Sequence, residues 1–222
     1  MVTRLRWAPA YRLIPSRYPT ASVYDRIAAP RDFAAVLEIE SLTNPRIREE
    51  TGDHRKIRAQ DRITGEGATP VLASFVYSGP SRFTDGTFGV YYAAHDEQTA
   101  IAESAYHTER FMRETNEPSI DLDKRLYTAV ITGEYEDIRS LGSRSKLYSL
   151  STYTASAQYS RELYEADVVD GIVYRSVRRA GGECVAAYRP RLVTKCRPVK
   201  YLQFRWENGR IVGIAQLSVI NA

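Results

Sequence analysis

A single α+β domain is the architecture that the sequence predicts, and three observations point to it. The chain has 222 residues, enough for one domain with a sizeable core. Segments that alternate with a period of two are interleaved along its length with segments at helical spacing. No repeat, low-complexity tract or linker-like stretch divides it.

The elements follow in order. "RLRWAPAYRLIP" reads as an opening strand that ends at Pro15. "PRDFAAVLEIESLTNP", residues 30–45, reads as a helix, with Pro30 near its start, Phe33, Val36 and Leu37 at helical spacing, and Pro45 as its stop. The charged run that follows, up to residue 70, reads as an exposed short helix or loop, so residues 30–70 form a charged helical insertion. "VLASFVYS" (71–78) alternates like a strand, and "GPSRFTDGTFG" is a turn-rich loop. "VYYAA" is a short buried strand, on which Tyr91 and Tyr92 face opposite ways. Asp96 then caps a helix, "EQTAIAESAYHTERFMRE", with Glu97 in its first turn and Ile101, Ala105, Thr108 and Met112 facing inward. "DKRLYTAVITGEYEDIRS" is a strand and "STYTASAQYSRELYEAD" a second long helix. "GIVYRS" and "ECVAAYRP" form a strand pair. "VKYLQFRWENGRIVGIAQLSVI" is a hairpin turning at Asn208–Gly209.

Composition narrows the class. Apolar residues make up 43% and charged residues 26%, as in soluble globular proteins. No apolar run approaches the roughly 20 residues of a membrane-spanning helix. The basic N-terminus is not followed by an apolar stretch, so a cytoplasmic location without membrane attachment is expected. The net charge of +4 mildly favours an anionic ligand. Basic residues concentrate within 175–200, where a solvated face is the simpler reading and a phosphate- or partner-facing surface the alternative. Cys184 and Cys196 lack metal-ligand spacing and read as reduced structural thiols.

Arg82, Tyr92 and Glu103 stand at intervals of ten and eleven residues. A guanidinium fork binds phosphate, a tyrosine ring can stack on a flat heterocycle, and a carboxylate can steady a sugar cation. Phosphates, a flat base and a cleavable glycosidic bond occur together in NAD. No Walker A loop, G-x-G-x-x-G or G-x-S-x-G motif is present, which argues against a Rossmann-type NAD site and a serine-hydrolase elbow. His95, His107 and Arg175 are further candidates; solvated positions, or for His107 a helix-surface pair with Glu103, are the plainer accounts.

The segment from "SRF" through "GVYYAA" to "TAIAE" resembles the core of the RES domain, the toxin half of bacterial RES–Xre toxin–antitoxin pairs. "YRLIP" is similar to that family's opening strand and "GIVYRSV" to its serine-bearing segment. "SRF" departs from the family's "GRW"-like turn. The resemblance implies an ADP-ribosyltransferase-like fold of mixed sheets with flanking helices. It implies a toxin that takes NAD as substrate, without a metal, and transfers ADP-ribose to a protein acceptor. NAD hydrolysis or phosphorolysis is the alternative. It maps catalysis to Arg82, Tyr92 and Glu103, and NAD contacts to Arg12, Arg82, Tyr92 and Ser176. It implies an Xre-type antitoxin as partner, a homo- or hetero-oligomer, and nucleic acid met only through the antitoxin. A reading of another class is a basic nucleic-acid binder or nuclease using residues 175–200 and the sixteen tyrosines.

Overall fold

Strand β1 (Val2–Pro15) and strand β3 (Ser119–Asp137) form a long antiparallel pair, from Val2 opposite Glu136 to Pro15 opposite Lys124, with a bulge between Trp7 and Ala10. The structure is a computed structural model and describes residues 1–16 and 56–218. The helix expected at 30–45, and the part of the charged insertion before residue 56, lie outside the described residues.

Strand β2 (Tyr91–Ala94) pairs with β5 (Glu183–Ala187), which forms an antiparallel pair with β4 (Gly171–Arg175). Strand β6 (Val193–Glu207) pairs with β3 and with β7 (Arg210–Leu217). The sheet order is β1-β2-β5-β4-β3-β6-β7, and the further β1–β3 pairing closes the first five into a ring. Among the strand pairings of the described residues only β3–β4 is parallel, so the sheet is mixed. Asn208 and Gly209 both take positive φ, the conformation that a tight two-residue hairpin requires.

Three α-helices of the described residues flank the sheet: α1 (Ala68–Val76), α2 (Glu97–Met112) and α3 (Thr154–Ala166). The result is the expected α+β domain. None of these helices is long and apolar enough to cross a membrane. One core cluster joins α1 to β1, β2, β3, β4 and β5 through residues such as Trp7, Leu72, Phe75, Tyr91, Val173 and Val185. A second lies across the sheet around Phe83, Phe88, Ile172 and Tyr188, with Tyr92 packed against it. Tyr91 and Tyr92 therefore do face opposite ways.

Two local expectations need correction. Residues 71–76 are helical, not extended. The buried positions Ala68, Val71, Leu72, Phe75 and Val76 fall on one helical face, and Pro70 sits in the first turn, where its missing N–H costs nothing. An eight-residue apolar run fits either period, and its packing decides. In α2 the buried residues are Thr99, Ala100, Thr108 and Met112, while Ile101 and Ala105 are half-buried. The face turns because Asp96 accepts hydrogen bonds from both the backbone N–H and the hydroxyl of Thr99, fixing Thr99 inward at the helix start.

The basic stretch 175–200 is also less of a free surface than its composition suggests. Arg189 is buried and pairs with Asp61 and Asp167, and Arg191 pairs with Asp61. These contacts clamp the short 3-10 turn Ala59–Asp61 onto the core. Cys184 and Cys196 are buried, unbridged thiols, as expected.

Candidate active site

The loop before β2 is held in one shape by its own polar atoms. Ser81 N–H donates to the Thr84 carbonyl at 2.8 Å, and the Thr84 hydroxyl donates to the Phe88 carbonyl at 2.6 Å. Phe83 is fully buried against Tyr174, and its carbonyl accepts from Ser160 of α3. The Tyr92 hydroxyl reaches back under this loop. It accepts from Phe83 N–H at 2.9 Å and lies 2.8 Å from the Ser81 hydroxyl. Burial pushes the Tyr92 phenol up to about 12, against the pull of these hydrogen bonds and of Arg82, so it stays protonated. Tyr92 thus fastens the turn that carries Arg82.

Arg82 is only 8% exposed. Its Nη1 donates to the Leu147 and Ser149 carbonyls, both at 3.1 Å, and its guanidinium stacks over Tyr153 at 4.7 Å. Its other guanidinium nitrogens make no hydrogen bond among the described residues. Arg12, on β1, donates from Nη1 to the Tyr92 carbonyl at 2.8 Å and lies over the Tyr91 ring, while its buried Nε has no hydrogen-bond partner among the described residues. Strand pairing brings these two arginines together: Tyr11 is opposite Ala94, so β1 delivers Arg12 beside β2.

Glu103 lies on α2 and is half-buried. Its Oε1 accepts from the Ser176 hydroxyl at 2.6 Å and lies 4.0 Å from the Cys184 sulfur. The Ser176 oxygen in turn accepts from the N–H groups of Arg178 and Arg179. The one hydroxyl proton of Ser176 is given to Glu103, so here the serine orients the carboxylate. Gly182 makes this contact possible: a Cβ there would come within 2.6 Å of the Thr99 hydroxyl, so only glycine lets the β4–β5 loop close onto the start of α2. Burial, then Glu103 nearby, pushes the Cys184 thiol well up, and burial does the same to Tyr174. Both stay neutral, which leaves Glu103 beside a wall without a competing thiolate or phenolate.

Arg12, Arg82, Tyr92 and Glu103 line one cleft of about 1390 Å³, large enough for a dinucleotide. Ser176 reaches it through Glu103. His107, a further candidate in the sequence, and Tyr153, which the sequence did not single out, also line it. His107 lies one helical turn past Glu103, the spacing behind the expected helix-surface pair, but the two do not hydrogen-bond. Although solvent reaches its edge, the surrounding walls, then Arg178, Arg110 and Arg82, lower its pKa. Tyr153 had no local signal, because its place depends on α3 docking beside the Arg82 loop. His95 packs on Trp7 at 4.9 Å and does not line the cleft. Arg175 is taken up by the Leu141 carbonyl and the Tyr148 ring, not left to meet a phosphate.

Residues 55–207 match the model of the RES domain. The chain is 30% identical over 206 residues to the uncharacterized protein y4oC of Sinorhizobium fredii, covering 90% of this chain and 84% of that protein. It is similar, at 12% identity and a TM-score of 0.40, to a chain of the crystal structure of the M. tuberculosis MbcT–MbcA toxin–antitoxin complex, covering 88% of this chain and 86% of that one. The family match takes in the Arg82 loop, β2, α2 and the Ser176 segment together, and on that match and the relative in Sinorhizobium fredii this chain belongs to the RES domain family.

Proposed function

We propose that the protein is an NAD-consuming enzyme that cleaves the nicotinamide–ribose bond and passes ADP-ribose to an acceptor, as the toxin of a toxin–antitoxin pair. The observation that carries this reading is the Glu103 carboxylate, set by the Ser176 hydroxyl at 2.6 Å in a cleft that Arg12 and Arg82 also line. Such a cleft offers cations for a diphosphate and an anion for the ribosyl carbon as positive charge develops there. Arg82 and Arg12 bind the phosphates. Tyr92 holds the Arg82 turn and lends its ring to the nicotinamide side. Glu103 stabilises the sugar cation and, in a transferase, orients the acceptor, with Ser176 keeping it aimed. A protein acceptor is the reading preferred here, with water or phosphate as the alternatives. The partner is an Xre-type antitoxin.

The test is nicotinamide release from NAD by the purified protein, with no nucleic acid present. Product analysis then separates modified protein from free ADP-ribose and from its phosphorylated form. Glu103→Gln keeps the shape of the side chain and removes its charge. It should stay folded and lose about a hundredfold or more in rate, the scale of losing a central electrostatic stabiliser. Near-normal release from the folded variant would overturn the role of Glu103. No release from the wild-type protein would overturn the activity.

A further inference from the structure

We infer that Arg178 is a third phosphate-recognising residue of this cleft, on the Glu103 side, in addition to Arg12 and Arg82. It deepens the NAD-consuming reading and rests on it for the identity of the ligand. The loop from Ser176 to Gly182 is rigid: Ser176 N–H donates to the Gly182 carbonyl, Gly182 N–H to the Arg179 carbonyl, and the Arg178 and Arg179 N–H groups to the Ser176 hydroxyl. Two successive arginines leave this loop with different fates. Arg179 is occupied, by the Thr99 hydroxyl at 3.3 Å and the Asp96 carboxylate at 3.5 Å. Arg178 is not. Its guanidinium carbon sits 3.3 Å from the centre of the Tyr106 ring, and its side chain lines the cleft. Among the described residues it has neither a carboxylate within ion-pairing distance nor a side-chain hydrogen bond, and its Nη2 is buried with no acceptor.

A buried donor without an acceptor is rare in a folded protein, and it is tolerated where a ligand supplies the acceptor. Stacking on Tyr106 keeps the flat fork in one orientation without using any of its N–H groups. The missing partner is therefore an anion with several acceptor oxygens, which describes a phosphate group. Arg82, His107 and Arg178 line the same cleft, and His107 has its pKa lowered first by burial and then by Arg178, Arg110 and Arg82. Two sources share this chemistry: the phosphates of the dinucleotide, or a free orthophosphate lying beside Glu103.

The experiment compares wild-type protein with Arg178→Gln and Arg178→Lys, by calorimetric titration of ADP-ribose and, separately, of inorganic phosphate. Melting temperatures report on folding. Loss of a charge-assisted contact should weaken binding about tenfold to a hundredfold in Arg178→Gln. Arg178→Lys should restore part of it, because it keeps the charge and loses the fork. A loss confined to ADP-ribose identifies the dinucleotide's own phosphates. A loss of orthophosphate binding, with ADP-ribose unaffected, identifies the free anion. Wild-type affinity for both ligands in a folded Arg178→Gln overturns the inference. Should that variant not fold, wild-type affinity in Arg178→Lys overturns it instead, and reduced affinity supports it. Failure of the activity reading is separable: wild-type protein that binds ADP-ribose through Arg178 but releases no nicotinamide loses the enzyme and keeps the anion contact.

Discussion

Two groups of arginines, one around the buried Asp61 and one in the cleft, are treated in opposite ways by this fold. Around Asp61, which is 1% exposed, each guanidinium meets carboxylate: Arg191 at 2.6 Å, Arg189 at 3.5 Å, with Arg189 also 2.6 Å from Asp167 and Arg58 2.9 Å from the same Asp167. In the cleft, Arg12 and Arg82 meet carbonyl oxygens and aromatic rings, and Arg178, among the described residues, meets a ring alone. Carbonyls and rings orient a cation without neutralising it. The difference separates cations that hold the chain together from cations kept available for an anion, and it does so where residue type and charge count are the same.

Asp61→Ala is the severest way to break the comparison. It leaves Arg189 buried and short of one counter-charge. Breaking a buried pair costs about 3–5 kcal/mol, and the lower end is expected here because Asp167 remains. Chemical denaturation should show this loss, while ADP-ribose affinity measured on the folded fraction stays within about twofold, as expected for a site it does not touch. A large loss of affinity would mean that the two groups are not separate.

Arg82→Ala is the converse. ADP-ribose affinity should fall by about tenfold or more with the loss of a charge-assisted contact. Stability should fall by only about 1–2 kcal/mol, from the two carbonyl contacts. Calorimetry with unchanged affinity would remove Arg82 from the binding role.

Tyr92→Phe tests the fastening of the loop. It leaves Phe83 N–H without its acceptor, at about 1 kcal/mol. The effect depends on pH in a defined sense. A phenol raised from its ordinary 10 to about 12 in the folded state contributes stability that is complete below pH 10 and is lost as pH rises through 12. Burial raises other tyrosines too, Tyr174 and Tyr188 among them, so the quantity to measure is the stability difference between wild type and Tyr92→Phe. It should shrink between pH 10 and 12, and a difference that is flat across that window would contradict the buried, bonded phenol.

The smallest effect is expected at an exposed pair. Arg161 and Glu165, one turn apart on α3 and 3.1 Å from each other, should contribute no more than about 0.5 kcal/mol in a double-mutant cycle. A coupling above about 1 kcal/mol would show that burial is not what distinguishes the Asp61 group.

Much of this molecule was legible along the chain. The alternation in β3, β6 and β7, the Asn208–Gly209 turn, the Asp96 cap of α2 and the Tyr91/Tyr92 division are short-range consequences of side-chain period and turn chemistry. The Arg82, Tyr92 and Glu103 spacing was visible for the same reason, since one turn, one strand and one helix follow each other without interruption. α1 was misread because a short apolar run suits either period, and only its neighbours select one.

What the sequence determined by itself is therefore local: which stretches extend or coil, where they stop, and which side chains carry charge. The tertiary structure decided which of those charges would find a partner. Ser176 reaches Glu103 across 73 residues, and Asp61 reaches Arg191 across 130, because the closed strand ring and the helix docking bring those segments together. The physical reason lies in distance. Hydrogen bonds and ion pairs act over a few ångströms, while the sequence fixes only separations along the chain, so adjacent arginines such as Arg178 and Arg179 acquire opposite roles once folding sets what lies within reach.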